Sequence, residues 1–236
     1  MDAARLLADQ REIKGVDLAG LSLGGHLSDD DSGDPYVFTE CDLTGADLAG
    51  ASLVEAAFEG CVLEGADFRR ADLDGARFSG GGGAGLRFGG ADLVDAVFTG
   101  VDLSGAVFES ALLTDASFTG CRMIGVVLST CRGTGYRFEG CNLTLAELIG
   151  CSFRGLRLRG VRLDDANLSG CDFTKAVFED CRLIGARTVE TVFTDADLRG
   201  ADLGDVDDTR LRSLRGAVVS PAQAAAILAL RGLTVN

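Results

Sequence analysis

The chain has 236 residues, 47% of them apolar, with 36 acidic against 22 basic side chains for a formal charge of −14. The apolar content and the lack of a long charged or Pro/Ser tract exclude general disorder, and the length allows one or two domains with a sizeable core. No run approaches the roughly 18 apolar residues of a membrane span, the opening MDAARLLADQREIKG lacks the apolar stretch of a secretory signal, and so negative a charge argues against direct nucleic-acid binding. A cytoplasmic location, with no membrane contact, is the expectation.

Residues 1–14 read as an N-terminal cap segment, and from 15 to 216 a single five-residue register runs through the chain. All 13 Phe fall at positions whose number leaves remainder 3 on division by five, all eight Cys lie two places before such a position, and 23 of the 33 Gly lie two places after one. The unit is a small residue, a polar residue, Leu or Phe, another polar residue, then Gly. A second period of twenty groups Phe38, Phe58, Phe78 and Phe98 with Leu18 and Leu198, while Leu23, Leu43, Leu63 and Leu103 form the next series. Phe68, Phe88 and Phe108 make a third series, and Phe153, Phe173 and Phe193 fall in the fourth. The pattern predicts an all-β solenoid, a quadrilateral β-helix of about ten 20-residue coils and roughly 48 Å in length at the spacing of neighbouring strands. The central Leu or Phe and the small residue before it face inward, the polar residues face water, and Gly supplies the corner.

HLSDDDSGDP, residues 26–35, breaks the register with Ser28 and Gly33 where Leu or Phe belongs, and predicts a loop that fills the space of two units. Its Asp29, Asp30, Asp31 and Asp34 are candidate partner contacts, a solvated insertion being the alternative. Residues 15–121 carry 19 acids and 4 bases. In this half the outward position before the central residue holds Asp42, Asp47, Asp67, Asp72, Asp92 and Asp102, the candidate partner-binding acids. Five-odd coils span roughly 26 Å, the length over which duplex DNA carries about 15 phosphates. Acids that only keep a repetitive surface soluble are the competing reading. GGGGAG at 80–85 contains GxGxxG, but no strand-to-helix switch surrounds it, and it reads as a thin side of the coil rather than a nucleotide site. Residues 122–187 hold 7 acids and 10 bases, with Arg122, Arg132, Arg137, Arg157, Arg162, Arg182 and Arg187 at the outward position that Asp fills earlier.

Residues 217–236 close the chain with a helix. Ser220 is a good N-cap, Pro221 suits the first turn, and Ser220 with Gln223 makes a capping box. The following Ala224, Ile227, Leu228 and Leu230 lie on a helix that is apolar nearly all round, which predicts burial on more than one side, over the last coil and against a second copy.

GADLAG, GADFRR, GGADLV and DANLSG resemble the pentapeptide-repeat family, whose consensus is A(D/N)LxG, and the resemblance covers about residues 15–216. Within it, FTECDLTGADLAGA, LDDANLSGCDF and the ending LRGAVVSPAQAAAILALRGLTVN are similar to the Qnr and MfpA quinolone-resistance proteins. That resemblance implies a right-handed β-helix, a homodimer joined through C-terminal helices, and a DNA-like shape that binds DNA gyrase. Projecting loops of Qnr-like proteins act against gyrase, which implies the same use for 26–35.

No catalytic constellation emerges. The one His, His26, stands in the Asp-rich loop, so His-based triads and His-rich metal sites are not expected, and no cofactor is implied. The register of the eight Cys places them inside as small apolar residues, expected as reduced thiols. Carboxylates on a convex rod share no cleft. Two function classes remain: a DNA-mimicking, non-enzymatic protein that binds DNA gyrase or another type II topoisomerase, inhibiting it or relieving poisons such as quinolones, and a structural scaffold with some other protein partner.

Overall fold

The computed structural model describes Leu7, residues 10–27 and residues 34–235. Nine three-residue strands stack in sequence order into one parallel sheet: β1 Glu12–Lys14, β2 Val37–Thr39, β3 Ala57–Glu59, β4 Arg77–Ser79, β5 Val97–Thr99, β6 Ser117–Thr119, β7 Arg137–Glu139, β8 Arg157–Arg159 and β9 Val177–Glu179. Phe38 pairs with Phe58, Phe58 with Phe78 and Phe78 with Phe98, so this side is the Phe38 face. The other three sides are narrower ladders of single parallel bridges such as Asp42↔Val62, Asp47↔Asp67 and Ser52↔Asp72, on the Leu43, Leu48 and Leu53 faces. The Leu43 face widens near its end into β10 (Cys181–Arg182) and β11 (Ala201–Asp202). The fold is the four-sided parallel solenoid that the five- and twenty-residue periods predict.

Several expectations need correction, most of them at the N-terminal end. Nine three-residue strands stand in place of about ten coils, the Phe38 face continuing past β9 only as the single bridges Val177↔Asp197 and Asp197↔Val218. Ile13 pairs with Phe38, Asp17 with Asp42 and Ser22 with Asp47, a step of 25 residues in place of 20. The interruption therefore adds one unit instead of filling two, and Leu18 lies beneath Leu43, Leu23 beneath Leu48. Leu18 N–H donates to Asp42 O and Leu23 N–H to Asp47 O, both at 2.7 Å. This register gives Ile13 an apolar neighbour in Phe38 and makes Glu12–Lys14, expected in the cap, the first strand of the sheet. Leu27, expected in the loop, is buried in the core, while Asp34 is exposed two residues before buried Tyr36. Asp29, Asp30 and Asp31 lie outside the described residues.

Stacked phenylalanines fill the core. Rings of Phe38, Phe58, Phe78, Phe98, Phe118 and Phe138 follow one another at 4.7 to 5.0 Å, nearly parallel. From the Leu48 face, Phe68, Phe88 and Phe108 stack at 5.2 and 4.7 Å. The two stacks meet edge to face, with Phe58 and Phe68 at 5.5 Å and 90°. Offset stacks and edge contacts are the two arrangements the ring quadrupole favours. A gap opens in the Leu53-face series at Gly133, and Tyr136 fills it from the small-residue position. Its ring lies 6.0 Å from Phe138 and 5.7 Å from Phe153, and its hydroxyl donates to Ser152 O at 2.6 Å.

Corners turn through the left-handed backbone region, where glycine is favoured. The run at 81–83 depends on glycine for space as well. A Cβ on Gly83 would stand 2.5 Å from Glu64 N, and one on Gly82 2.7 Å from Val101 Cγ1, so side chains here would prop the coils apart. The segment is a side of the rod with inter-coil hydrogen bonds, Gly82 N–H to Cys61 O at 2.9 Å and Gly83 N–H to Asp102 O at 2.9 Å.

The C-terminal end is covered by two helices, of which only the second was expected: α1 (Asp208–Ser213) and α2 (Pro221–Ala229). The predicted capping box at Ser220 and Gln223 is present. The Gln223 side-chain amide also donates to Leu198 O at 2.8 Å and Ala201 O at 2.7 Å. Arg210 of α1 donates to Leu203 O at 2.8 Å and Leu183 O at 2.9 Å. Carbonyls at the end of a parallel stack would otherwise offer a docking edge to another chain, and these two side chains occupy them. In urea unfolding, Phe98→Ala should cost about 3–5 kcal/mol, because Phe98 is fully buried between Phe78 and Phe118; a loss below about 1 kcal/mol would show that the stack is not what holds the middle of the rod.

Candidate partner-binding surface

The six outward aspartates divide among three faces. Asp42 and Asp102 stand on the Leu43 face, separated by Val62 and Gly82; Asp47 and Asp67 are neighbours on the Leu48 face; Asp72 and Asp92 are neighbours on the Leu53 face. None is on the Phe38 face. In each, one carboxylate oxygen accepts the backbone N–H two residues on, as in Asp42 to Thr44 at 2.9 Å, Asp47 to Ala49 at 3.0 Å and Asp102 to Ser104 at 2.9 Å. Asp72 and Asp92 do the same at 3.3 and 3.1 Å. This is an Asx-turn. Asn142 and Asn167 make the identical bond to Thr144 and Ser169, both at 3.2 Å, so the turn needs the oxygen and not the charge.

Asp67 differs from the others. It is only 4% exposed, held by Arg69 through Nε at 2.9 Å and Nη2 at 2.6 Å, with Arg87 at 3.4 Å on the next coil. The hydrogen bonds from Arg69 hold its carboxyl below the usual aspartate range. Its charge is answered within the rod.

Acids that form no ion pair among the described residues gather on the Leu53 face and its corner, and three of them were not singled out by the sequence. Asp74 has its proton affinity raised by burial and then by the charges of Asp92, Asp72, Asp95 and Glu55. Asp95 and Glu55 are corner residues in the left-handed conformation, 40 positions apart in the same column. The twenty-residue period applied to the corner position would have found them; attention to the outward position alone hid them.

Farther along, most arginines are paired. Arg137 meets Asp115 at 4.0 Å, Arg154 meets Asp172 at 3.4 Å, Arg159 meets Glu179 at 3.1 Å, Arg182 meets Asp164 at 3.2 Å, and Arg157 also binds Glu179. Arg122, Arg132, Arg162 and Arg187 form no ion pair among the described residues.

All eight cysteines are free thiols, seven of them buried. Each donates to a carbonyl of the neighbouring coil, as Cys61 Sγ to Phe38 O at 3.3 Å and Cys171 Sγ to Leu148 O at 2.9 Å. Burial pushes the Cys61 thiol up to about 11 and Cys131 and Cys151 up to about 12, which keeps them protonated and unreactive. Among the described residues no cluster of three or more His, Cys, Asp or Glu could hold a metal, and no helix is long and apolar enough to cross a membrane.

On α2, Ile227 packs back on the rod and Ala224 is half-buried, whereas Leu228 and Leu230 are turned outward at 36% and 56% exposure. Between the helix and the last coil is a cleft of about 370 Å³, lined in part by Leu203, Val206, Ile227 and Leu230.

Family models described as pentapeptide repeats (8 copies) match residues 41–80 and 176–207, and one described as a pentapeptide repeat region matches 91–168, together well over half of the chain. The chain belongs to the pentapeptide-repeat family. This pentapeptide-repeat protein matches no curated protein sequence. It is similar in fold to full-length QnrB1, a plasmid-mediated fluoroquinolone resistance protein, at 22% identity over 94% of this chain and 100% of that one, with a TM-score of 0.55. A trypsin-treated QnrB1 variant gives 24% identity over 83% and 98%, with a TM-score of 0.58. HetL, a pentapeptide repeat protein from the cyanobacterium Nostoc sp. strain PCC 7120, is 23% identical over 80% and 86%, with a TM-score of 0.35.

Asp67→Asn should lower stability by about 1 kcal/mol at neutral pH, a modest figure because both arginines keep access to water. Since the folded carboxyl titrates below its unfolded value near 3.9, this stabilisation is present above pH of about 4 and is lost as pH falls through the folded value. Urea midpoints of wild type and variant should therefore differ at pH 7 and converge toward pH 2; parallel curves would contradict the pairing.

Proposed function

We propose that this pentapeptide-repeat protein is a cytoplasmic, non-enzymatic DNA mimic that binds DNA gyrase or another type II topoisomerase, inhibiting it or protecting it from quinolone-type poisons. The carrying observation is the uncompensated acidic field around Asp74, built from Asp72, Asp92, Asp95 and Glu55 on consecutive coils of a rigid rod. Coils about 4.8 Å apart present carboxylates at intervals a phosphate-binding saddle can engage, and Asp42, Asp47 and Asp102 extend the negative surface to two more faces. Asp67, already paired, adds little. The fold it shares with QnrB1, a fluoroquinolone resistance protein, supports the same reading. Asp29, Asp30, Asp31 and Asp34 of the Asp-rich segment are proposed as further contacts with the same partner.

The second reading, a scaffold for another protein, is favoured by the Asx-turns, which give each outward aspartate a local task without any partner. Asparagine separates the two. Asp72→Asn with Asp92→Asn keeps the turn bond, as Asn142 and Asn167 do, and removes only charge. In a supercoiling assay with purified gyrase, wild type should inhibit in a dose-dependent way. The double variant should require roughly tenfold more protein, and affinity should fall steeply with added salt. Binding indifferent to both changes would favour the scaffold; no effect of folded wild type on supercoiling or quinolone-stabilised cleavage would end the topoisomerase reading.

The same rod is proposed to dimerise through α2, with Leu228 and Leu230 outward and the adjoining cleft receiving the helix of a second copy. Light scattering should give a dimer for wild type and a monomer for Leu228→Asp; a monomeric wild type at micromolar concentration would remove the idea.

A further inference from the structure

Leu145 is out of keeping with every other corner of the rod. Thirteen described non-glycine residues turn corners in the left-handed region, with φ between 52 and 62°, and twelve of them are polar or charged. Leu145, at φ 60°, is the single apolar one, and its side chain is 57% exposed. A leucine is strained in this conformation and exposes a large apolar side chain besides, while glycine occupies the same corner one coil earlier at Gly125, with φ 66°. With Gly125 on one side the leucine stands clear as a knob, and Asp165 follows it on the next coil. Ile149, in the same coil, is 46% exposed.

The charges beside the knob are equally particular. Arg122 bridges Asn142 and Asn142 bridges Arg162, so two exposed arginines lie one coil below and one above the residue three places before Leu145. Neither forms an ion pair among the described residues, whereas Arg182 on the next coil is bound by Asp164 at 3.2 Å. An exposed apolar side chain, with two unpaired arginines on the adjoining face, joins an apolar anchor to a residue type enriched at interfaces, while Asp165 is the acid next to it in the same corner column.

We infer that Leu145, flanked by Arg122 and Arg162, is a second contact with the topoisomerase, inserting into an apolar pocket bordered by carboxylates. It rests on the topoisomerase reading but uses the opposite chemistry from the acidic faces. The mimic then holds its partner at two places: an acidic half against a basic DNA-binding surface, and an arginine-bearing half against an acidic surface beside it. The strain at Leu145 is the structural cost of presenting this knob from a rigid corner.

The test compares wild type with Leu145→Gly, Arg122→Gln/Arg162→Gln and Asp72→Asn/Asp92→Asn for binding to purified DNA gyrase, with thermal unfolding of each. Glycine suits the corner, so Leu145→Gly should unfold at the same or a higher temperature than wild type and yet bind about tenfold more weakly; Leu145→Asn, which also tolerates this backbone, serves as the second variant. The arginine pair should weaken binding by about fivefold and flatten its salt dependence. If both Leu145 variants bind within about twofold of wild type while the aspartate pair weakens binding, the inference is overturned and the mimic reading stands. If folded wild type does not bind gyrase, both fall together.

Discussion

Every feature of this rod depends on parallel backbone pairing between residues one coil apart. The pairing stacks like on like: Phe78 lies on Phe58 and under Phe98, and Asp72 beside Asp92. Identical apolar side chains in such a column share one environment and lose little by being repeated, so a phenylalanine stack at 4.7 Å is a continuous apolar core. The same constraint acts in reverse outside, where like charges are brought close. A column of acids is therefore a stored repulsion, and the rod tolerates it because the inner stack and the inter-coil hydrogen bonds outweigh it.

That balance links the fold to its proposed role. A flexible chain would relax away from neighbouring carboxylates, but the Asx-turns at Asp72 and Asp92 fasten one oxygen of each to the backbone. The charge field around Asp74 is thus fixed in direction before any partner arrives, and binding need not order it. Arg69 and Arg87 show the alternative within the same molecule, closing over Asp67 and removing its charge from the surface. Which acids remain available is decided by whether a guanidinium sits two residues along or one coil away.

The ends of the stack obey a different requirement. A parallel ladder has no natural stop, since each coil leaves donors and acceptors for the next. At the C-terminal end Arg210 and Gln223 fill the acceptors with side-chain donors, and the helices that carry them bring Leu228 and Leu230 to the surface. The cap therefore also places apolar side chains at the surface of the rod's end.

The sequence by itself determined the solenoid, its four sides, the inward Phe, Leu and Cys, and the capping box at Ser220, because each depends on a period or a local hydrogen bond that residue types report directly. It misplaced Leu18 and the first coil, because the five-residue register is unchanged by an inserted unit and only pairing shows that 13 lies under 38. It did not find Tyr136 as the filler at Gly133, α1, or the burial of Asp67, all of which require knowing what stands one coil away. Tertiary structure alone decided which charges are answered and which are open. Ion pairing is a matter of a few ångströms between long side chains, and a repeat that sets where each Cα lies does not set which guanidinium reaches which carboxylate.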